Sequence, residues 1–588
     1  MQIVIPMSGF GERFRRAGYE LPKPLIQVDG KSIIAHVIDM FPGDHDFIFI
    51  CNKDHLQTPE YRMAETLRRY CPTGKIIPIA AHKLGPVNAV LKARDEIDVN
   101  KPTIVNYCDF TCYWEYSDFE NFLKETNCDG CVPAYRGFHP HSLGSTFYAY
   151  MKHTGLWMDD IQEKQPWTDN PTDEFASSGT YYFKTGQLCL DAFDAQIAQD
   201  LNINGEFYAS LAYRILKQKK LSVAIYELQH FMQWGTPADL EEYNGWSNTF
   251  RRLGMDSATR ARHRGTLLVP MAGLGSRFAK EGYKQVKPLI PVSGRAMAIQ
   301  ATRDLPETPH TRFVLRNDIP GVEDIEHKLV TSFVGAQTTM LKEVTEGQAI
   351  TCLLGMDGVD LDKPISVGAC DNGMLYDANA FDALMDEGKA DVIVWTVRGH
   401  FDGRMRPKQF GWVIADETGK ISDVLVKEEP EDPATTPLIV GAFTFKRASD
   451  FKDCINALIA RDGRVNGEFY VDSLIKDAIA KGLNCQIFEI DHYIGWGTPN
   501  DLKTFQYWQS CFHKWATHPY KLQNDRRIPT SQTQDLVTEY TSFQVLRPEG
   551  VSVANDLATQ DQPNLSHLFS SVGNLFHKKQ SASLKRDV

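Results

Sequence analysis

Apolar positions along this chain follow two periods in turn. Gln2 to Met7 is a short, nearly unbroken apolar run that ends in a glycine-rich turn from Ser8 to Arg13, which predicts a buried strand. Ser32 to Met40 reads as a helix, Asp46 to Cys51 as a second buried strand, Tyr61 to Tyr70 as a second helix, and Thr103 to Tyr107 as a third strand leading to Asp109. Strands alternating with helices predict an α/β fold with a mainly parallel, doubly wound sheet. Ligands of such sheets sit beyond the carboxyl ends of the strands, where Gly9, Gly11 and Asp109 fall. The pattern then returns with Thr266 to Pro270, Arg312 to Leu315 and Pro364 to Val367, the last leading to Asp371.

The return is literal in places. Val4-Ile5-Pro6-Met7-Ser8-Gly9-Phe10-Gly11-Glu12-Arg13-Phe14 reappears as Leu268-Val269-Pro270-Met271-Ala272-Gly273-Leu274-Gly275-Ser276-Arg277-Phe278, and each copy is followed by Lys-Pro-Leu-Ile, at Lys23 and at Lys287. Asn-Gly-Glu-Phe-Tyr occurs at 204–208 and 466–470, and Trp-Gly-Thr-Pro at 234–237 and 496–499. The copies begin 264 residues apart and settle at 262, a period that belongs to a whole domain rather than a solenoid unit. The organisation expected is a first domain over 1–246, a basic linker over 247–264, a second domain over 265–510 and a polar, partly disordered tail over 511–588.

The linker is expected from Arg251, Arg252, Arg260, Arg262 and Arg264 in a stretch without apolar periodicity. Within the tail, Leu565, Leu568, Phe569, Val572, Leu575 and Phe576 fall on one helical face, which suits docking onto the chain's own domains or binding a partner or membrane surface.

A formal charge of −12 argues against nucleic acid or an anionic membrane as partner, while leaving room for a local basic pocket and a small anionic substrate. No apolar run approaches the length of a membrane span, and the 12 cysteines lack framework spacing, so the expectation is a cytoplasmic protein with reduced thiols. Cys108, Cys112, Cys128 and Cys131 have spacings that a zinc site also uses, but small buried hydrophobes are the better reading.

The repeated turn carries the chemistry. Glycines after a strand let backbone N–H groups approach phosphate oxygens, and the arginine adds a planar, permanently charged fork. The lysine of Lys-Pro, ten residues after each arginine, places a point charge on the same phosphates. Together with the aspartate after the third strand, these residues resemble the sugar-phosphate nucleotidyltransferases: the thymidylyl- and uridylyltransferases of glucose 1-phosphate, the phosphocholine-type cytidylyltransferases, and the small enzymes found with capsule and surface-polysaccharide genes.

The resemblance implies two tandem Rossmann-type, GT-A-like domains and transfer of a nucleoside monophosphate from an NTP to a phosphomonoester, with pyrophosphate released. It leans to CTP, with UTP or dTTP as alternatives, and to a surface-glycan precursor as product. Gly9, Gly11 and Arg13 would hold the triphosphate, Lys23 would neutralise the α-phosphate, Asp109 would ligate Mg²⁺ or Mn²⁺, and Lys164 would take the acceptor's phosphate. Gly273, Gly275, Arg277, Lys287 and Asp371 are the second set, and Gln348 in Glu346-Gly347-Gln348-Ala349 matches the base-side loop, where the first copy has Pro86. Glu206 and Glu468 are candidates for the acceptor side, or for compensating a second metal-binding aspartate whose places are taken by Gln233 and Gly495. Where the first copy reads Glu163-Lys164 the second reads Lys427-Glu428, so the acceptor lysine is displaced by one position or lost. His230 and His492 are expected to be structural or pocket residues, because a phosphomonoester is already ionised near neutral pH and needs no base.

Two other readings use the same residues. A GT-A glycosyltransferase is disfavoured because neither Asp109-Phe110-Thr111 nor Asp371-Asn372-Gly373 forms Asp-x-Asp. A nucleotide-binding scaffold with one inactive copy keeps the binding loops without turnover.

Overall fold

The computed structural model describes residues 1–43, 45–144, 147–386 and 388–548. The expected strands form at Gln2–Met7, Asp46–Asn52 and Thr103–Asn106, and again at Thr266–Pro270, His310–Arg316 and Ile365–Val367. In the first half Gln2–Met7 pairs in parallel with both Asp46–Asn52 and Thr103–Asn106, placing it inside the sheet, where residues such as Ile3, Val4 and Ile5 are fully buried. Burial on both faces is why this strand is continuously apolar.

The sheets are mixed rather than mainly parallel. The ten-stranded first sheet contains a run in the order Lys75–Ile79, Asp46–Asn52, Gln2–Met7, Thr103–Asn106, Thr180–Phe183, Gly130–Tyr135, Val223–Glu227, in which Thr180–Phe183 is antiparallel to both its neighbours. The nine-stranded second sheet repeats that order with Ala336–Leu341, His310–Arg316, Thr266–Pro270, Ile365–Val367, Leu438–Phe445, Val392–Val397 and Cys485–Glu489. The antiparallel insertions were not visible in the sequence because a central strand is apolar whichever way it runs.

Trp-Gly-Thr-Pro has a physical explanation at each occurrence. Trp234 and Trp496 are buried, Thr236 and Thr498 cap the helices Pro237–Met255 and Pro499–Lys514 with reciprocal bonds to Asp239 and Asp501, and proline occupies the first helical turn, where no N–H is needed. The two helices pack on each other between the halves. There the Tyr507 hydroxyl donates to the Phe231 carbonyl at 2.9 Å and accepts from the Phe231 N–H at 2.9 Å, with His139 Nδ1 3.0 Å away. His230 lies against Ser510 at 3.2 Å and His492 against Thr249 at 3.1 Å, which makes both histidines parts of the junction between the halves.

Two boundaries are corrected. The segment 247–264 does not begin as a linker, because the helix runs on to Met255 with Ser247, Thr249, Phe250 and Leu253 buried. Four of its five arginines have partners: Arg251 with Asp29 at 3.0 Å, Arg252 with Asp491 at 3.4 Å and Arg262 with Glu307 at 3.0 Å, while Arg260 bonds the Leu305 and Thr302 carbonyls. Residues 511–548 are likewise not a loose tail, since Tyr520, Leu522, Ile528 and Tyr540 enter the core that joins both halves. The amphipathic segment from Leu565 to Phe576 lies outside the described residues. The cysteines Cys108, Cys112, Cys128 and Cys131 are buried in the same apolar core.

Candidate active site

The glycine turn is built by backbone conformation. Gly11 and Gly275 cap the short helices Glu12–Arg16 and Ser276–Lys280 in the left-handed region, at φ 65° and 61°, where a side chain is strained. Above Gly9 and Gly273 a Cβ would meet nothing within 4 Å, so these turns face open space. Lys23 Nζ reaches back to donate to Asp109 Oδ2 at 2.7 Å, and Lys287 Nζ to Asp371 Oδ2 at 2.5 Å. Burial works against each ammonium, but the aspartate beside it more than offsets this and holds the lysine pKa above its ordinary value. The glycines of Trp-Gly-Thr-Pro keep room for these pairs, since a Cβ at Gly235 would lie 3.4 Å from Asp109 Oδ2 and one at Gly497 3.3 Å from Asp371 Oδ2.

Gly9, Gly11, Arg13, Lys23, Asp109, Lys164 and Glu206 line a single cavity of about 1370 Å³. Within it Lys164 Nζ donates to the Tyr208 hydroxyl at 2.6 Å, and that hydroxyl donates to Glu206. Glu206 thus belongs with the lysine, in a tight turn after Asn204 and Gly205, both at positive φ. In the second half burial and the neighbouring Glu468 carboxylate raise the Tyr470 hydroxyl pKa above its ordinary value. Among the described residues no group of three or more His, Cys, Asp or Glu side chains converges to hold a metal ion. One carboxylate per site suits a hard cation that takes most of its ligands from phosphate oxygens and water.

The second half's counterpart of Lys164 is neither displaced in space nor lost. Glu163 opposes Ala149 across its ladder, and Val426 opposes Gly411 across the equivalent one. Lys164 and Lys427 are the next residues, both left-handed at φ 61° and 60°, and their ammonium groups lie 4.4 and 5.6 Å from the ring centres of Tyr208 and Tyr470. Glu428 therefore corresponds to Gln165. A one-residue slip in the intervening loops hid this in the aligned sequences. Glu428→Lys should accordingly leave the second half's acceptor kinetics within about twofold, as measured by the acceptor KM, because an exposed position outside the site contributes little.

Asn-Gly-Glu-Phe-Tyr does a second task that motif reading missed. Phe207 N–H bonds the Leu84 carbonyl at 3.0 Å and its carbonyl accepts from Val87 N–H at 3.2 Å; Phe469 does the same with Glu346 and Ala349 at 2.9 and 3.0 Å. The motif thereby clamps the loops at 84–87 and 346–349, and Gly85 and Gly347 permit the approach, since a Cβ on either would fall within 2.6 Å of this backbone. Gln348 opens the helix Gln348–Gly355 directly behind the clamp, and Pro86 opens Pro86–Lys92.

Burial pushes the Glu163 carboxyl up to about 7, partly relieved by its bond from Ser210 at 2.5 Å and by Lys164. An acid raised in the folded state gives stability that is complete below the unfolded value near 4.5 and is lost as pH rises toward 7. Glu163→Gln should remove that loss. The melting temperature of the variant should gain on the parent between pH 5 and pH 7.5, by an amount on the order of 2 kcal/mol in stability; parallel pH profiles would show that Glu163 is not desolvated.

Residues 3–246 match the family described as nucleotidyl transferase. Among curated proteins, the chain is 26% identical over 150 residues to a mannose-1-phosphate guanyltransferase of Schizosaccharomyces pombe, covering 24% of this chain and 40% of that protein. It is 24% identical over 246 residues to the low-salt glycan biosynthesis nucleotidyltransferase Agl11 of Haloferax volcanii, covering 39% and 62%. The chain thus spans less than two thirds of the length of these relatives. Among solved structures it resembles a nucleoside-diphosphate-sugar pyrophosphorylase from Vibrio cholerae at 21% identity and a TM-score of 0.35, covering 41% of this chain and 99% of that one. It also resembles the inositol-1-phosphate CTP transferase from T. maritima at 14% identity and a TM-score of 0.33, covering 42% and 96%.

Proposed function

We propose that the chain transfers a nucleoside monophosphate from an NTP to a phosphomonoester, and that both halves are nucleotidyltransferase domains that do so; the match of residues 3–246 to the nucleotidyl transferase family supports this. The observation that carries the reading is the duplicated Lys–Asp pair beside an open glycine turn, Lys23 with Asp109 and Lys287 with Asp371. The backbone of Gly9 to Gly11 and the Arg13 guanidinium would bind the β- and γ-phosphates, while Lys23 would face the α-phosphate. Lys164 would hold the acceptor phosphate so that one of its oxygens attacks the α-phosphorus in line. The new oxygen–phosphorus bond forms as the bond to the β-phosphate oxygen breaks, and pyrophosphate leaves. No general base is required. Asp109 and Asp371 would help hold Mg²⁺, which supplies neutralisation of the phosphate charge when bound. CTP is the favoured nucleotide, with UTP and dTTP as alternatives, and a cytoplasmic supply of nucleotide-activated precursor for a surface or capsular glycan is the role that fits this chemistry.

Pyrophosphate release, measured with each NTP against a panel of sugar phosphates and phosphocholine, tests the reading. Turnover with at least one pair is expected. NTP binding without turnover by any pair would favour a scaffold, and glycosyl transfer from a sugar nucleotide in its place would favour a GT-A glycosyltransferase.

A further inference from the structure

Resting on that transfer reaction, the second half differs from the first at three positions that change together around the acceptor lysine. In the first half the carboxylate beside Lys164 comes from Glu163, with Ala149 opposite it and Ser210 Oγ donating to it at 2.5 Å. In the second half the equivalents are Val426, Gly411 and Asp472, the last fixed by its place two residues after the repeated Asn-Gly-Glu-Phe-Tyr. The carboxyl lost at Val426 is regained at Asp472. Gly411 makes the room, since a Cβ there would lie 2.3 Å from Asp472 Oδ2. Any one of these differences alone would delete a carboxylate, add one, or open a gap; together they keep one carboxylate beside the lysine in each half.

We propose that Asp472 is the acceptor-positioning residue of a working second site: it sets the Lys427 ammonium for the acceptor's phosphate and accepts a hydroxyl of a hydroxyl-bearing phosphomonoester, a sugar or polyol phosphate. The surroundings agree. Asp472 is raised to about 6 by burial, against the pull of Lys427, much as Glu163 is raised beside Lys164, and Lys427 also feels Arg277 and Glu468. Because Asp472 stands where the first half has Ser210 and is one methylene shorter than Glu163, the acceptor hydroxyl it reaches is differently placed, so the two sites select different acceptors.

The test uses the full-length chain with the first site disabled by Asp109→Asn and Lys164→Ala, and glucose 1-phosphate and mannose 1-phosphate as probes. Asp472→Asn should raise the acceptor KM about tenfold or more with the NTP KM within about twofold, the size expected when a site loses one partner for a substrate hydroxyl. Gly411→Ala should do the same by displacing the carboxylate. The combined Gly411→Ala, Val426→Glu, Asp472→Ser variant should recover the acceptor KM and shift preference toward the first half's acceptor. An unchanged acceptor KM in Asp472→Asn, or no recovery in the combined variant, would overturn the assignment. If the undisturbed chain shows no turnover at all, the transfer reading fails, and calorimetric titration of glucose 1-phosphate into the same background decides separately: binding weakened by Asp472→Asn supports the positioning role, and equal binding or none overturns it.

Discussion

Lys23→Ala should lower first-half turnover by about two to three orders of magnitude, read as pyrophosphate release in a chain whose second site is disabled by Asp371→Asn. Lys23 is the cation nearest Asp109, at 2.7 Å, with its side chain only 23% exposed, so a charge on the α-phosphate would be met in a partly desolvated setting. Pre-organised contacts of that kind stabilise a transition state by about 2.7–4 kcal/mol each. The reciprocal experiment, Lys287→Ala with Asp109→Asn, should give the same loss in the second half. Melting temperatures should stay close to the parent's, because neither lysine is part of the apolar core. Turnover within a few-fold of the parent would remove Lys23 from the site.

Arg527→Met should destabilise the whole chain by about 3–5 kcal/mol, the usual cost of stranding a buried charge partner. Arg527 comes from the segment expected to be a loose tail, yet its guanidinium donates to Asp256 at 2.6 Å, to Asp304 at 3.1 Å and to the Met374 carbonyl at 3.3 Å. Burial would lower its pKa, but Asp304 and Asp256 more than offset that and hold it raised. Removing the arginine leaves Asp304, 4% exposed, without its cation, and leaves Asp256, 8% exposed, with Arg252 alone at 3.3 Å. Urea denaturation checks the size, and adding Asp256→Asn and Asp304→Asn to the variant should recover part of it. A loss under about 1 kcal/mol would mean that the pairing is no stronger than an exposed one.

Both outcomes turn on what local pattern can and cannot encode. The apolar runs at Gln2, Asp46 and Thr103 were legible as strands because a central strand must be apolar on both faces, and the Gly-x-Gly-x-Arg turn because only glycine suits the left-handed position at Gly11. The Lys–Asp pairs were legible as members of a site, since lysine and aspartate each lay at a fixed place in a repeated motif. Strand direction was not legible, because Thr180–Phe183 is as apolar running antiparallel as it would be parallel. Nor was the equivalence of Lys164 and Lys427, since a loop slip of one residue is invisible until the opposing strand fixes the register.

The sequence by itself determined the recurrence of its motifs, the alternation of strands and helices, and the glycine turns after the first strand of each half, all of which depend on residues close together in the chain. Only the tertiary structure decided where the chain's polar segments go. Arginines in 247–264 and residues such as Tyr520 and Arg527 read as linker and tail because nothing within a few positions demands burial. Their partners, Asp29, Asp304 and Glu307 among them, come from distant segments, and an ion pair between such segments leaves no period in the sequence.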